Sequence, residues 1–428
     1  MNAELPAPGC SNLALEEGGV FKFRFEKRSI PVQTTTLDTP ARLEIAASAE
    51  STSWYCRLVM LGATSIVVGI LWDISWHRTI GRDTFWTPAH MAIYLGGLLG
   101  GLTSGWLVIR TSFFGTPEAR AGAVGLAGLR GPFGAWVSIW GAMAMLVSAP
   151  FDDWWHNAYG LDVKILSPPH TVLALGMWAV VLGALLLVLR EQNTGASAEA
   201  ARGRWFFVYA AGVMLAMGSV FLTEMSFPNH QHSALFYTMS AATYPFYLLG
   251  IARAARFRWG ATIIALIYMA IMAGASWVLP LFPGEPKLGP IYNHVEHFVA
   301  LPFPLLLFVP ALAIDSIRHG IGDGHGWRWD LLIAALSAIV FVALLLVTQW
   351  YFSEFMLSPA ADNWFFGGNR HWGYTESLGE WRTRFFNEMN PASNPPVTIR
   401  VIGRAILLAF ASSVIGLRLG NWMARVRR

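Results

Sequence analysis

Charge is scarce in this sequence. Asp, Glu, Lys and Arg make up 13% of its 428 residues, about half the roughly 25% of an average soluble protein. That supply cannot clothe a water-exposed surface of this size, which excludes a soluble enzyme and a disordered chain. Cysteine is scarcer still. Cys10 and Cys56 are the only two, both at or before the first apolar stretch. A disulfide scaffold is thereby excluded, and the later parts of the chain have no thiolate for an iron–sulfur centre. Clusters of basic residues are missing as well. The net charge of +4 comes from 30 Lys and Arg set singly among 26 Asp and Glu, a pattern of membrane topology and not of a nucleic-acid footprint. The sequence also lacks a Gly-x-Ser-x-Gly elbow, a nicotinamide fingerprint and a His-Glu-x-x-His zinc motif. The Gly-rich stretch from Arg318 to His325 has no Lys or Ser/Thr of a phosphate loop and reads as a turn.

Apolar residues are abundant, at 54% of the chain with 14% aromatic. A hydrocarbon core about 30 Å thick takes about 20 apolar residues per helix. Ten stretches qualify: 56–72, 88–109, 132–150, 170–189, 205–223, 234–252, 259–281, 298–314, 331–352 and 398–417. The expected fold is therefore all-α, a polytopic membrane protein with about ten transmembrane helices. Residues 1–55 read as a polar N-terminal tail without a cleavable signal, in which Phe21, Phe23 and Phe25 alternate with Lys22 and Arg24. Residues 56–352 hold about nine spans, 353–397 form an aromatic-rich segment, and 398–428 carry the last helix and a basic tail.

With the N-terminus inside, most of the Lys and Arg, among them Arg110, Arg190, Arg253, Arg318 and Arg425, fall on the inner side. Both termini are then expected in the cytoplasm, in the inner membrane of a bacterium. On the same topology, all 11 histidines except His319 and His325 fall at the outer face. Packing histidines would not segregate in this way.

The strongest signal is an internal repeat. Asp73, Trp76, His77, Gly81, Asp83, Pro88 and His90 recur about 79 residues later as Asp152, Trp155, His156, Gly160, Asp162, Pro168 and His170, with one residue inserted. Leu95-Gly96 and Leu175-Gly176 continue the match. Each copy is a two-helix hairpin with its loop, and an even helix count sets both copies the same way up. Asp73 and His77 are four residues apart, on one helix face if the first span continues a turn. Thr87-Pro88 and Ser167-Pro168 read as an N-cap followed by proline at the first helical position, which places His90 and His170 in the first turn of the next helix. One carboxylate and two imidazoles then meet at the membrane boundary, a set suited to copper, zinc or iron. Asp83 and Asp162 would orient the ring nitrogens.

The spacing Asp-x3-His-x12-His resembles the copper-site motif of the C subunit of particulate methane and ammonia monooxygenases. Asp73, His77 and His90 match it directly, and Asp152, His156 and His170 match it with one residue more. The resemblance covers about 37 residues. It implies that these six residues are copper ligands in a membrane protein linked to oxidation of small substrates by dioxygen. This chain departs from that family in being longer and in carrying the motif twice.

Weaker third and fourth copies are expected where Glu224 is followed by His230 and His232, and at His294 and His297. The aromatic segment holds Trp364, His371, Trp372, Tyr374 and Trp381, and reads as an interfacial belt or a cover over the outer surface. Paired histidines also suit haem iron, although carboxylates beside them favour a harder ion. The leading expectation is a metal-binding membrane protein, copper with iron or zinc as alternatives, acting as an oxidoreductase or as a subunit of one. Two alternatives stand beside it: a metal-ion or proton-coupled transporter, and a non-catalytic subunit of a respiratory or photosynthetic membrane complex. Its partners would be lipid and other membrane subunits or further copies of itself, and no nucleic acid.

Overall fold

The computed structural model describes residues 53–82, 84–160, 167–195, 197–322, 326–377, 379 and 382–427, with 197–202 as backbone only. The readings made for residues 1–52, Asp83, Asp162, His325 and Trp381 lie outside the described residues. Among the described residues, nine long helices and one shorter one correspond to the ten apolar stretches: α1 (Trp54–Thr79), α2 (Pro88–Ile109), α3 (Phe133–Tyr159), α4 (Pro168–Thr194), α5 (Ser197–Val220), α6 (Ala234–Ala255), α7 (Gly260–Val278), the shorter α8 (Phe308–Ile321), α9 (Trp327–Leu357) and α10 (Ile399–Met423). Eight of them, all but α6 and α8, are long and apolar enough to cross a membrane. The chain is an all-α polytopic membrane protein. Its β structure among the described residues includes one small hairpin, Val124–Leu126 with Leu129–Gly131, between α2 and α3.

The duplication is visible in the packing. α1 lies along α2 and α3 along α4, and the two hairpins join where α2 meets α3 and α1 meets α4. Each hairpin crosses at paired glycines. A Cβ on Gly62 would stand 2.8 Å from the Gly96 carbonyl oxygen, and one on Gly141 2.7 Å from that of Gly176. Gly62 and Gly141 occupy equivalent positions of the repeat, as do Gly96 and Gly176. Lipid supplies no hydrophobic drive between helices, so such close backbone approach is what lets dispersion forces hold the hairpins. Each first helix then ends at the repeated glycine, Gly81 with φ of 79° and Gly160 with φ of 83°, a conformation that strains any residue with a Cβ.

The remaining helices build on this pair. α5 packs on α4 and α7, α6 runs along α10, and α9 lies between α10 and α8. α6 is long enough to span but is enclosed by its neighbours, with Thr238, Ser240, Tyr244 and Tyr247 among its buried residues.

The eighth predicted span is the one that differs. Helix forms only at Phe308–Ile321, about 21 Å of rise against a core of about 30 Å. Residues 298–307 are largely buried without regular structure. Pro302 and Pro304 lack the N–H groups that a helix there would need. Side chains satisfy much of the freed backbone: Ser75 Oγ donates to the Val299 carbonyl, Thr79 Oγ1 accepts from the Val299 N–H, Ser276 Oγ donates to the Leu301 carbonyl, and Gln349 Oε1 accepts from the Leu306 N–H. Irregular backbone within a membrane protein is tolerated where protein supplies such partners.

The end of the bundle opposite the repeated motif holds ion pairs of its own. Arg253 pairs with Asp330, which also accepts from Asn421 Nδ2. Asp315 is fully buried, accepts from the first N–H groups of α7 at Ala261 and Thr262, and pairs with Arg318. This carboxylate caps a helix from a neighbouring one, where the dipole favours negative charge.

Candidate functional site

α1 continues past its apolar run to Thr79, so Asp73 and His77 share a face as the spacing predicts. Thr87 and Ser167 cap α2 and α4, each accepting from the N–H of the histidine three residues on, His90 and His170. Two helices thereby deliver one carboxylate and two imidazoles to a single place in each hairpin. In the first, His77 Nε2 lies 3.8 Å from Asp73 Oδ2 and His90 Nε2 lies 3.2 Å from Asp73 Oδ1. In the second, His156 Nε2 and His170 Nε2 lie 3.4 and 3.6 Å from the same oxygen, Asp152 Oδ1.

The second ring nitrogens of His90, His156 and His170 are hydrogen-bonded. His90 Nδ1 is 3.0 Å from the Thr84 carbonyl oxygen and His156 Nδ1 is 3.0 Å from that of Gly160. A carbonyl only accepts, so these Nδ1 atoms carry the proton and a neutral ring turns the lone pair of Nε2 toward the carboxylate. His170 Nδ1 is instead held 3.0 Å from Ser167 Oγ, which can donate or accept. Asp73 Oδ1 and Asp152 Oδ1 are both buried and have no hydrogen-bond partner. A lone pair facing a buried, unpartnered carboxylate oxygen is repulsive unless a cation, proton or metal, lies between them.

The donor set fits a borderline metal ion. Two ligands each about 2.0–2.1 Å from a tetrahedral ion stand about 3.3 Å apart, close to the N···O separations above. Closure is incomplete: among the described residues no group of three or more His, Cys, Asp and Glu side chains is positioned to hold a metal ion as it stands. In the first hairpin the two histidines address different oxygens of Asp73, so a shared ion requires the carboxylate to turn.

The weaker copies are built differently. Glu224 opens a short 3-10 turn. His230 stacks on Phe386 with ring centroids 4.7 Å apart, and burial pushes its pKa down to about 4. His232 is sandwiched between Trp350 and Phe385 at 3.6 and 3.4 Å, its Nε2 is 3.1 Å from the Trp350 carbonyl, and burial lowers its pKa. His294 pairs with Glu296 at 3.9 Å on an exposed loop, and His297 lies exposed beside it, bridged to Pro283. These histidines have separate surroundings, aromatic for the first two and solvent for the others.

His371 of the aromatic segment is 1% exposed. Its Nδ1 donates to the Gly367 carbonyl at 3.2 Å, and its buried Nε2 has no hydrogen-bond partner. Burial pushes its pKa down to about 3, with the Gly367 carbonyl opposing and Arg78 and Arg382 adding to the shift. Sequence reasoning missed the residues that tie this segment to the first triad. Arg78 Nη2 donates to the His371 carbonyl and to Glu376 Oε1, while the Tyr374 N–H donates to the Arg78 carbonyl. The signal was the one position beside the repeated histidine that does not repeat, Arg78 against Asn157. Comparison of the chain with protein-family models, with curated proteins and with solved structures finds no match.

Proposed function

We propose that this is an integral membrane metal-binding protein that holds one ion in each of its two Asp-His-His triads. The observation that carries the reading is the repeated geometry: in both hairpins two imidazole Nε2 atoms from different helices lie within 3.8 Å of one Asp carboxylate, one oxygen of which is buried and lacks a hydrogen-bond partner. Asp73, His77 and His90 would hold one ion and Asp152, His156 and His170 the other. Copper is the favoured ion, supported by the two-imidazole donor set and by the motif's resemblance to the copper site of membrane monooxygenases, with iron and zinc as alternatives. Bound copper would supply one-electron chemistry toward dioxygen, and the reading extends to an oxidoreductase or a subunit of one. The residues of this chain would orient that ion: the Thr84 and Gly160 carbonyls fix the tautomers of His90 and His156, and the caps at Thr87 and Ser167 set the start of each second helix. The arginine-bearing end of the bundle is assigned to the cytoplasm and the triads to the outer face.

Electron paramagnetic resonance of the full chain loaded with Cu(II) in detergent tests this. The expected spectrum is that of a type 2 centre with nitrogen hyperfine structure from two imidazoles, lost in part in His90→Ala and in part in His170→Ala. A spectrum of aqueous copper alone would contradict it.

Transport of a metal ion or proton is a second reading, and one observation favours it. The irregular segment 298–307 contributes Pro302, Phe303, Pro304 and Leu305 to a small, mainly apolar niche completed by Met272 and by Ser219, Thr223, Ser226 and Tyr268, and interrupted helices are where transporters bind cargo. Uptake of radioactive metal into sealed vesicles, abolished by Ser226→Ala with the triads intact, would support transport. Loss of uptake only in triad variants would count against the niche.

A further inference from the structure

At the arginine-bearing end of the bundle, the first turns of α9 and the last turns of α10 border a small niche. Trp327, Asp330 and Leu331 line it from α9, and Val414, Leu417 and Arg418 from α10. Each set is spaced three and four residues apart, so each helix turns one face to it. The wall is apolar at Leu331, Val414 and Leu417 and cationic at Arg418.

Arg418 differs from the paired arginines beside it. It lies within a membrane-spanning helix and is exposed on the surface of the bundle. Among the described residues it makes no hydrogen bond and no ion pair. The carboxylate that borders the niche, Asp330, is already engaged on both oxygens, by Arg253 from α6 and by Asn421 Nδ2 at 2.8 Å. Arg253 and Asp330 cancel, so the charge of Arg418 is left over. Arg328 adds a second, its guanidinium 5.7 Å from the centre of the Trp327 ring. Trp327 and Trp422 are 56% and 46% exposed, as indoles are at the level of lipid headgroups. Arg418 sits one helical turn, about 6 Å, to the membrane side of Trp422. An unpaired guanidinium at that depth is costly in hydrocarbon. Its long stem lets it reach toward the headgroups, where the group of opposite charge is phosphate.

We propose that this niche binds one anionic phospholipid. The lipid phosphate accepts from the Arg418 guanidinium, whose planar fork matches two phosphate oxygens. The net negative charge of the headgroup faces Arg328 as well, and the acyl chain starts along Leu331, Val414 and Leu417. Basic pockets between membrane helices select such lipids. A zwitterionic lipid brings its own cation to the same two arginines and gains less. A second copy of the chain suits the face less well, because a two-fold contact would bring two sets of unopposed arginines together. Bound there, the lipid bridges α9 and α10 beside the Arg253–Asp330–Asn421 junction and stabilises the fold by mass action. The site lies at the end of the bundle away from the triads, and its occupancy does not depend on their holding metal.

The test is native mass spectrometry of the full chain in a neutral detergent, titrated with phosphatidylglycerol or with phosphatidylcholine. One phosphatidylglycerol per chain should be retained, with phosphatidylcholine bound about tenfold or more weakly at that site. Arg418→Gln should weaken phosphatidylglycerol binding by about tenfold or more. Arg425→Gln, which removes an exposed charge at the same end but outside the niche, should bind as the parent does. Phosphatidylglycerol should raise the melting temperature of the parent and of Arg425→Gln but not of Arg418→Gln. Equal melting temperatures without lipid show that Arg418→Gln is folded. Should it fail to fold, Val414→Phe, which keeps the arginine and fills the apolar wall, should weaken binding in the same sense. Equal retention of the two lipids, or parent-like retention by both Arg418→Gln and Val414→Phe, overturns the proposal. Displacement of the lipid by inorganic phosphate would make this a bare anion site and overturns it too. A lipid-free dimer that Arg418→Gln dissociates would give the face to a second copy, with the same consequence.

Discussion

His371 shows what a single residue can decide here. Its ring is enclosed by Phe227 and Trp372, and burial pushes its pKa down to about 3. Its folded pKa lies below the ordinary 6.5, so between about pH 6.5 and about pH 3 the unfolded chain binds the proton and the folded chain does not. Stability is therefore lost as the pH falls through that window and is unaffected above it. The expected loss from this group is about 2 kcal/mol at about pH 5. Thermal unfolding in detergent should be level above about pH 7 and decline below about 6. His371→Gln, which can still donate to the Gly367 carbonyl but does not titrate, should flatten the decline. An equal decline in the variant would place the acid-sensitive group elsewhere.

Among the elements, the hairpin carries the account. Its stability rests on glycine crossings too close for any side chain. Gly62→Leu and Gly141→Leu should each destabilise the protein by about 1–3 kcal/mol or prevent its folding, because the added atoms meet backbone that cannot yield. Gly105→Leu, with nothing within 4 Å, should be close to neutral. Equal melting temperatures for the three variants would refute the crossing.

Much of the hairpin was legible in the sequence. Identical residues at repeated spacing predicted the caps at Thr87 and Ser167 and the shared face of Asp73 and His77, since capping and helical periodicity are local rules. The interruption at 298–307 was not, because its length and apolarity match those of a span. Only distant partners such as Ser75, Thr79 and Gln349 reveal that its backbone is satisfied in another way. The clamp on Arg78 was equally hidden, for its partners lie nearly 300 residues away.

At the scale of the whole molecule, scarcity of charge and the distribution of what remains agree. One end of the bundle keeps arginines paired with Asp315 and Asp330. The other keeps two carboxylates, each faced by two histidines and left without a hydrogen bond to one oxygen. In a chain with so few polar groups, burying the same incomplete arrangement twice costs stability unless a cation completes it. The most direct measurement is the metal content of the full chain, purified in detergent and offered copper, iron and zinc together, determined by mass spectrometry beside Asp73→Asn, Asp152→Asn and the double variant. The account predicts one copper ion per triad, half that content in either single variant and none in the double. A protein that retains no metal, or a double variant that retains as much as the parent, would contradict it.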